Sequence, residues 1–456
     1  MEFLKECIAA IATALAPAGL GVVRLSGENS IEIAAKFFKS SNISKDIKLL
    51  NGYEAAYGRI LDGDFFLDDG VALVFKAPYS YTGEDVVEIT CHGGLLILKE
   101  LLNICVKNGA RLATNGEFTK RAFLNGKLSL TQAEAVADVI NAESVACLKA
   151  VNEVKNGVLY KKAKEISDKL VELDSNILVW LDYPLDDLPD IDILKFKGEI
   201  KNQKLKLDSI LQNVRFEDIL KNGVQVALVG RPNVGKSTLM NLICGEEKSI
   251  VTNISGTTRD VVSASVSING FKFKIFDTAG ITDSSNVVEK LGVERAISKL
   301  KSADIILLVT DNLTKYEDLD ILKNYENSNI ILIYNKADLN YCKKCFSKYK
   351  FSKVVTTSHD DYSSIEKLKQ AIYSVKQLGS INFNNMPLIL NSRQKTSLES
   401  ASKILDKLLL MLNSNIALDA IGVVLEDAID ELLKLTGEKV SDVVLEDIFS
   451  KFCVGK

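Results

Sequence analysis

Apolar and polar positions follow three successive rhythms along the chain. Over residues 22–88, short β-rich runs at 22–25, 53–61, 70–75 and 86–90 are separated by the turn signals Ser26-Gly27, Asp62-Gly63 and Tyr81-Thr82-Gly83. A helix is predicted over 94–108, because Leu95, Leu98, Leu101, Leu102 and Cys105 share one face and Asn108-Gly109 ends it. From 131 the period lengthens. Val151, Val154 and Val158, then Ile166, Leu170, Leu173, Ile177 and Leu181, recur at helical spacing until Tyr183-Pro184 and Leu188-Pro189 stop them. A further helix is predicted over 193–218, where many lysines are interleaved with acids; this reads as a solvated face rather than an RNA-binding stripe.

The next stretch alternates strands, at 224–229, 271–276, 304–309, 329–334 and 354–356, with helices. That rhythm predicts a mostly parallel sheet covered on both faces. Helical text resumes after Pro387, through Leu398, Ala401, Leu405, Leu408 and Leu412, then Leu418, Ile421, Leu425, Ala428, Leu432 and Leu435, closed by Thr436-Gly437. The fold class expected is multidomain α/β: an α+β domain over 1–119, a discontinuous all-α domain over 120–216 and 377–456, and a P-loop domain over 217–376 inserted between its halves.

Composition narrows this little. At 456 residues, 47% hydrophobic and 25% charged, the chain has room for two to four domains with real cores, and a net charge of −4 leaves nucleic-acid contact to a local basic patch. Eight scattered cysteines read as reduced and intracellular. Cys342 and Cys345 have half of a zinc-ribbon spacing and no second pair, so a metal site there is not expected. Residues 7–23 are apolar enough to resemble a secretory leader, but Glu2 and Glu6 outweigh Lys5, and Pro17 interrupts the run. No other run reaches the ~18 apolar residues of a membrane span, and a cytoplasmic location is expected.

Chemistry concentrates at Gly230-Arg231-Pro232-Asn233-Val234-Gly235-Lys236-Ser237, which follows an apolar strand and opens a helix at Thr238. This is a P-loop. Its glycines permit a tight wrap, Lys236 would reach the β- and γ-phosphates, and Ser237 would hold Mg²⁺. Asp277-Thr278-Ala279-Gly280 ends a strand, where the Asp can bind Mg²⁺ through water and the Gly N–H can face the γ-phosphate. Asn335-Lys336-Ala337-Asp338 ends another, and its carboxylate can accept both N–H groups of a guanine edge. Between the P-loop and Asp277 lies Thr252-Asn253-Ile254-Ser255-Gly256-Thr257-Thr258, whose Thr258 can complete the Mg²⁺ shell. GTP binding follows from these motifs in this order. Hydrolysis commonly uses a Gln after Asp-Thr-Ala-Gly and an Arg finger, and here Ile281 follows instead. Asn233 could help hold a monovalent cation and Glu289 could orient water; the one reads equally well as a turn residue and the other as a surface helix residue.

With these residues in hand, the chain resembles the MnmE (TrmE) family of tRNA-modification GTPases over nearly its whole length. The likeness includes Ser80-Tyr81-Thr82-Gly83-Glu84-Asp85, Gly93-Gly94, Gly116-Glu117-Phe118-Thr119, Arg121-Ala122-Phe123-Leu124-Asn125, Gln132-Ala133-Glu134-Ala135, the GTPase motifs and the terminal Phe452-Cys453-Val454-Gly455-Lys456. The resemblance implies a homodimer through the first domain, with a folate one-carbon donor (5-formyl- or methylene-tetrahydrofolate) contacted by Arg24, Glu88, Lys127 and Lys456. It implies potassium at Asn233, Thr252, Ile254 and Thr257, Mg²⁺ at Ser237 and Thr258, a water-orienting Glu289 and a functional Cys453. It also implies an FAD-dependent partner, MnmG (GidA), in a heterotetramer that modifies the wobble uridine of certain tRNAs. Two stretches depart from the family pattern: Ala14-Leu15-Ala16-Pro17-Ala18-Gly19, and Ser358-His359 in the last guanine-contact loop. A regulatory GTP switch in RNA assembly would explain the GTPase motifs but neither the first domain nor the tail. A folate-binding scaffold without turnover would leave the intact motif set unexplained.

Overall fold

The apolar run near the start of the chain forms a hairpin: β1 (Ile8–Ile11) pairs antiparallel with β2 (Ala18–Ser26), placing Ala10 opposite Arg24. It is continuous because β1 is buried on both faces. Cys7 and Ala9 join the main core of the sheet, while Ile8 and Ala10 pack with Phe118 on the other side. The computed structural model describes residues 6–182, 192–212, 217–231, 233–245, 263–277, 303–311, 329–338, 351–358, 361–376, 378–380, 388–414 and 417–455. It divides into two compact units, one of Met1–Asn141, Asn152–Leu211 and Leu390–Lys456, the other of Ala142–Val151 and Gln212–Ile389.

In the first unit α1 (Ser30–Phe37), β3 (Phe38–Ser40), β4 (Glu54–Asp62), β5 (Phe65–Phe75), β6 (Val86–Gly93), α2 (Leu95–Lys107) and β7 (Arg111–Leu112) complete a sheet ordered β3-β4-β5-β6-β2-β1-β7. All its pairings are antiparallel except β1 with β7. Helices α1 and α2 cover one face. The seam of α2 is Leu98, Leu101, Ile104 and Cys105, whereas of the predicted face Leu95 is exposed and Leu102 only partly buried. With only Gly94 between β6 and α2, the first turn lies at the strand's end, ahead of the sheet face that the later turns cover. The opposite face is covered at the β1–β2 end by Phe118 of α3 (Glu117–Leu124).

Helix α4 (Leu130–Ile140) starts at a reciprocal capping box between Ser129 and Gln132. After it come α5 (Val145–Lys155), α6 (Val158–Asp182), α7 (Ile193–Gln212) and α8 (Glu217–Asn222). The helix predicted over 193–218 is described over α7, with a buried seam of Phe196, Ile200, Leu207 and Ile210, and over α8; residues 213–216 between them lie outside the described residues. Its lysines are spent locally: Lys204 pairs with Asp208 and Asp406, and Lys206 with Glu165.

The second unit is built on β8 (Val224–Val229), α9 (Lys236–Cys244), β9 (Ser263–Ile268), β10 (Phe271–Asp277), β11 (Ile305–Thr310), β12 (Asn329–Tyr334), β13 (Lys353–Thr356) and α10 (Tyr362–Val375). The sheet order is β13-β12-β11-β8-β10-β9, parallel except for β9. β9 adds a strand that the periodicity did not predict. Asn269 and Gly270, at φ 51° and 81°, make the two-residue hairpin that returns the chain antiparallel onto β10.

Back in the first unit, α11 (Ser392–Leu412), α12 (Leu418–Thr436) and α13 (Asp442–Ser450) complete the chain. The predicted seams are buried on α11 from Leu398 to Leu412 and on α12 from Ile421 to Leu435, and Gly437 ends α12 in the left-handed conformation at φ 95°. A buried ion pair joins helices far apart in sequence: Arg393 of α11 grips Glu134 of α4 with two bonds of 2.7 Å and donates to the carbonyl oxygen of Lys434 at 2.8 Å. Gln394 adds a third donor to Glu134 at 2.6 Å.

Removing Glu134 takes the carboxylate partner from a part-buried Arg393 and leaves Gln394 without its acceptor, so Glu134→Ala is expected to destabilise the first unit by about 2 kcal/mol, read as a lower urea midpoint of its unfolding transition.

Candidate functional site

Parallel strands β8, β10, β11 and β12 end on one edge of their sheet, and the nucleotide motifs leave from those ends, as in open α/β folds generally. At Gly230 the backbone passes so near β11 that an added Cβ would lie 2.2 Å from the Val309 carbonyl oxygen. Asn233 is left-handed at φ 65°, a conformation Asn tolerates well, and Gly235 at φ 94° caps α9. The buried Lys236 ammonium lies within the curl of the loop, donating to the carbonyl oxygens of Gly230 at 2.7 Å and Arg231 at 2.8 Å.

The guanine-selecting loop is tied to this cradle. Asn335 Nδ2 donates to the Val234 carbonyl at 2.8 Å, and Thr357 donates to Asn335 Oδ1 at 3.0 Å. Lys336 Nζ donates to the Asn233 carbonyl at 2.8 Å and to Asp311 at 3.3 Å. A Cβ on Gly235 would stand 2.4 Å from Asn335 Nδ2, so the two loops can approach this closely only with glycine there. The Asp338 side chain is exposed. Register places Asp277 opposite Leu228, two residues before Gly230.

A second cluster forms where the C-terminal tail meets the first sheet. Phe449 and Phe452 are buried with Leu130, Ala133 and Val136, which seats the segment that follows α13. Asn115 Nδ2 donates to the Ser450 carbonyl at 3.1 Å, and the Gly116 amide donates to that of Cys453 at 3.4 Å. Gly455, left-handed at φ 97°, passes so close to β1 that a Cβ would be 2.4 Å from the Ile11 carbonyl oxygen. Its own carbonyl accepts from Arg24 NH1 at 3.1 Å. Arg24 Nε donates to Glu88 at 2.7 Å, and the guanidinium carbon lies 5.6 Å from the Phe118 ring centroid. Tyr81, whose hydroxyl lies 2.9 Å from that of Thr119, has its phenol pKa pushed up by burial.

Beneath this cluster Arg121, 1% exposed, bonds to Glu84 at 3.2 Å and Glu117 at 3.0 Å. Burial alone would raise the Glu117 pKa, but donors from Arg111, the Thr114 amide and Arg121 outweigh it and hold the carboxyl at about 2. Ser26 donates to Glu84 at 2.7 Å, joining this network to β2.

Both clusters lie in a chain that matches known families along its length. The model described as GTP-binding protein TrmE N-terminus covers residues 7–127, and the model described as MnmE helical domain covers 130–453, the latter span running around the nucleotide motifs. The protein called tRNA modification GTPase MnmE in Clostridioides difficile is 38% identical over 459 residues, all of both chains. Its namesake in Acetivibrio thermocellus is 38% identical over 461 residues, again over the full length of both. The chain belongs to the MnmE family of tRNA modification GTPases. Among solved structures, the G domain of the T. maritima FeoB iron transporter matches 34% of this chain and 99% of that one at 27% identity, with a TM-score of 0.26, too slight a likeness to carry weight.

For a member of the MnmE family, the expected residues are placed as follows. Asn233, Val234, Gly235, Lys236, Ser237 and Thr238 form the cradle with Asn335, Lys336 and Ala337 beside it. Arg24 and Glu88 come together as an ion pair with the tail at their side; Lys127 instead donates to the Pro78 carbonyl at 2.9 Å, on the loop that carries Tyr81. Thr252, Asn253, Ile254, Ser255, Gly256, Thr257, Thr258, Thr278, Ala279, Gly280, Glu289, Cys342, Cys345, His359 and Lys456 lie outside the described residues. No described helix is long and apolar enough to cross a membrane. Sequence reasoning did not single out Phe118 or Asp311, although the first lies inside a quoted motif and the second directly follows β11.

Two outcomes are expected. Asn335→Ala should free the guanine loop from the cradle and weaken GTP binding about tenfold in calorimetry, the cost of a buried amide's bonds. Brief alkylation followed by peptide mapping should mark exposed Cys453 well ahead of Cys7 and Cys91, whose thiols burial raises to about 12 and about 11.

Proposed function

We propose that this chain couples potassium-stimulated GTP hydrolysis to folate-dependent modification of C5 of the wobble uridine, position 34, of certain tRNAs, giving the (carboxymethyl)aminomethyl form. GTP hydrolysis in tRNA modification comes with the family; the cation, the folate and the chemical product are the finer reading. The observation that carries it is the seating of the tail backbone beside the Arg24–Glu88 pair: the Gly455 carbonyl accepts from Arg24, and the Cys453 carbonyl accepts from the Gly116 amide. An acid and a cation are thereby paired beside the segment that carries an exposed thiol, as a group-transfer site needs.

The residues present fit a folate. Glu88 uses Oε1 on Arg24, which leaves Oε2 to accept pterin N–H groups. Lys127, exposed and held to Pro78, offers a cation to an acidic glutamyl tail, with Lys456 as a further contact. Such a folate would supply the one-carbon unit. Cys453 is presented outward to the substrate base, while the tail backbone keeps its place.

At the nucleotide site, Ser237 and Thr258 would hold Mg²⁺, and Asn233 with Thr252, Ile254 and Thr257 would hold K⁺. The exposed Asn233 amide suits this role, since the cradle bonds through that residue's backbone. K⁺ would supply the positive charge of the absent Arg finger, and Glu289 would orient the attacking water. His359 leaves guanine selection to Asp338.

A homodimer through the first domain is supported by the uncovered part of its sheet, where Tyr57, Val71 and Val22 line one row and Tyr57 and Val71 are 57% and 38% exposed. An FAD-dependent MnmG (GidA) partner would complete a heterotetramer in the cytoplasm.

Single-turnover hydrolysis in K⁺ is expected to exceed that in Na⁺ by at least about tenfold, with the difference abolished in Asn233→Ala. Equal rates in the two cations would remove the cation site. Cys453→Ser should keep hydrolysis and lose tRNA modification; a variant that still modifies tRNA would remove the tail's chemical role.

A further inference from the structure

A chain with a net charge of −4 can meet a polyanion only through a local concentration of cations, and the first unit has one. We propose that the corner between α5 and α6 holds the phosphate backbone of the tRNA arm whose base is presented to the C-terminal tail. Residues 155–164 carry four lysines and no acid. Lys164 is answered by Asp168 at 3.1 Å and Glu438 at 3.3 Å, whereas Lys155, Lys161 and Lys162 are exposed and make no ion pair among the described residues. Their placement works against local stability. Lys161 and Lys162 lie within the first five residues of α6, which has no acid in its first turn, and the helix macrodipole makes that the end where a cation costs stability. Helix end and ammonium groups therefore add to one positive field. The lysines of α7 differ in this respect, since Glu199 and Asp208 stand among them and Lys204 and Lys206 are paired.

The corner is held to the element that seats the tail. Gln132 Nε2 of α4 donates to the Lys155 carbonyl at 3.0 Å, and Gly157, left-handed at φ 82°, passes so close that an added Cβ would lie 3.3 Å from that same nitrogen. The next residue of α4, Ala133, is buried with Phe449 and Phe452, and Cys453 follows. A second tie runs through Lys164: its partner Glu438 follows Gly437, where an added Cβ would stand 2.5 Å from Leu130 Cβ. The lysines and the tail thus flank one helix, about 10 Å across. Gln132 itself comes from residues 118–133, a stretch also free of acids. Three outward ammonium groups on a fixed turn suit an extended run of phosphates, whose contacts position a nucleic acid without reading its sequence. The proposal rests on the tail reading above only for which arm of the tRNA is held.

The test measures binding of an unmodified tRNA transcript, and of its isolated anticodon stem-loop, to the full chain over a range of salt concentrations. Three triple variants at exposed positions are compared with wild type: Lys155→Gln with Lys161→Gln and Lys162→Gln; the same three positions changed to Arg; and, as a control of equal charge, Lys195→Gln with Lys201→Gln and Lys403→Gln on α7 and α11. The corner Gln triple should bind both RNAs at least about tenfold more weakly at low salt, and the slope of log affinity against log salt should shrink by about 2 to 3, one phosphate contact for each lysine. The Arg triple should bind as wild type does, the control triple should change less than about twofold, and GTP hydrolysis should be kept in all three. Unchanged binding in the corner Gln triple, an equal loss in the control, a loss confined to the full tRNA with the stem-loop unaffected, or no binding by wild type at low salt each overturns the proposal. If Cys453→Ser still modifies tRNA while the corner Gln triple has lost the stem-loop, the corner stands and the tail's chemical role falls.

Discussion

Arg121 is the constraint on which the first site depends. A guanidinium with 1% exposure is tolerable only if its charge is met, and Glu84, Glu117 and the Glu6 carbonyl accept from NH1 and NH2 out of three separate stretches of chain. Each of those stretches has a second task. Glu84 accepts from Ser26 on β2, Glu117 ties down Arg111, and α3 carries Phe118 one turn before Arg121 itself. The loop that holds Tyr81, the strand that holds Arg24 and the ring on which Arg24 rests are thus placed by satisfying one buried charge. Removing any partner would leave that charge stranded, so the arrangement is held by a penalty for departure more than by a gain from contact.

The nucleotide unit is braced chiefly through backbone carbonyls. Asn335 serves as donor to the cradle and acceptor from Thr357, and the Lys336 ammonium spans the Asn233 carbonyl and Asp311. A phosphate cradle must keep its own amides free for the ligand, so its carbonyls are the groups available for cross-bracing. The bracing uses those of Gly230, Arg231, Asn233 and Val234. Base recognition and phosphate binding are therefore coupled through backbone oxygens, which leaves the inward N–H groups for the phosphates.

What was legible in sequence divides along physical lines. The cradle and the guanine loop could be read because each is a contiguous motif whose chemistry is local. Half-buried strands such as β4 and β6 could be read from their alternation, and α11 and α12 from their period. β1 could not, since burial on both faces erases alternation and leaves a run that looks like a leader's core. β9 was missed because its alternating Ser and apolar residues are weak evidence without the Asn269-Gly270 turn. The Arg24–Glu88 and Arg24–Gly455 bonds span 64 and 431 residues, and no periodicity encodes them. They follow from register and from where a buried Phe452 brings the chain, which are properties of the assembled sheet.

The stretch Ala14-Leu15-Ala16-Pro17-Ala18-Gly19, which departs from the family's usual text, shows how such a change can be kept away from a site. The β1–β2 hairpin is already closed behind it: the Ala12 amide donates to the Val22 carbonyl at 2.8 Å, and the Val22 amide donates to the Thr13 hydroxyl at 3.2 Å. Below that closure Ala10 stands opposite Arg24, and Ile11 presents its carbonyl to Gly455. A loop tied off in this way can change length or shape at its exposed tip without altering the register beneath, because the pairing from Ile8 with Ser26 to Ile11 with Val23 is complete before the tip begins. The tail contact is thus insulated from the variable loop by a hairpin whose first strand is buried on both faces, and the residues that can alter it lie on β2, α3 and the tail itself.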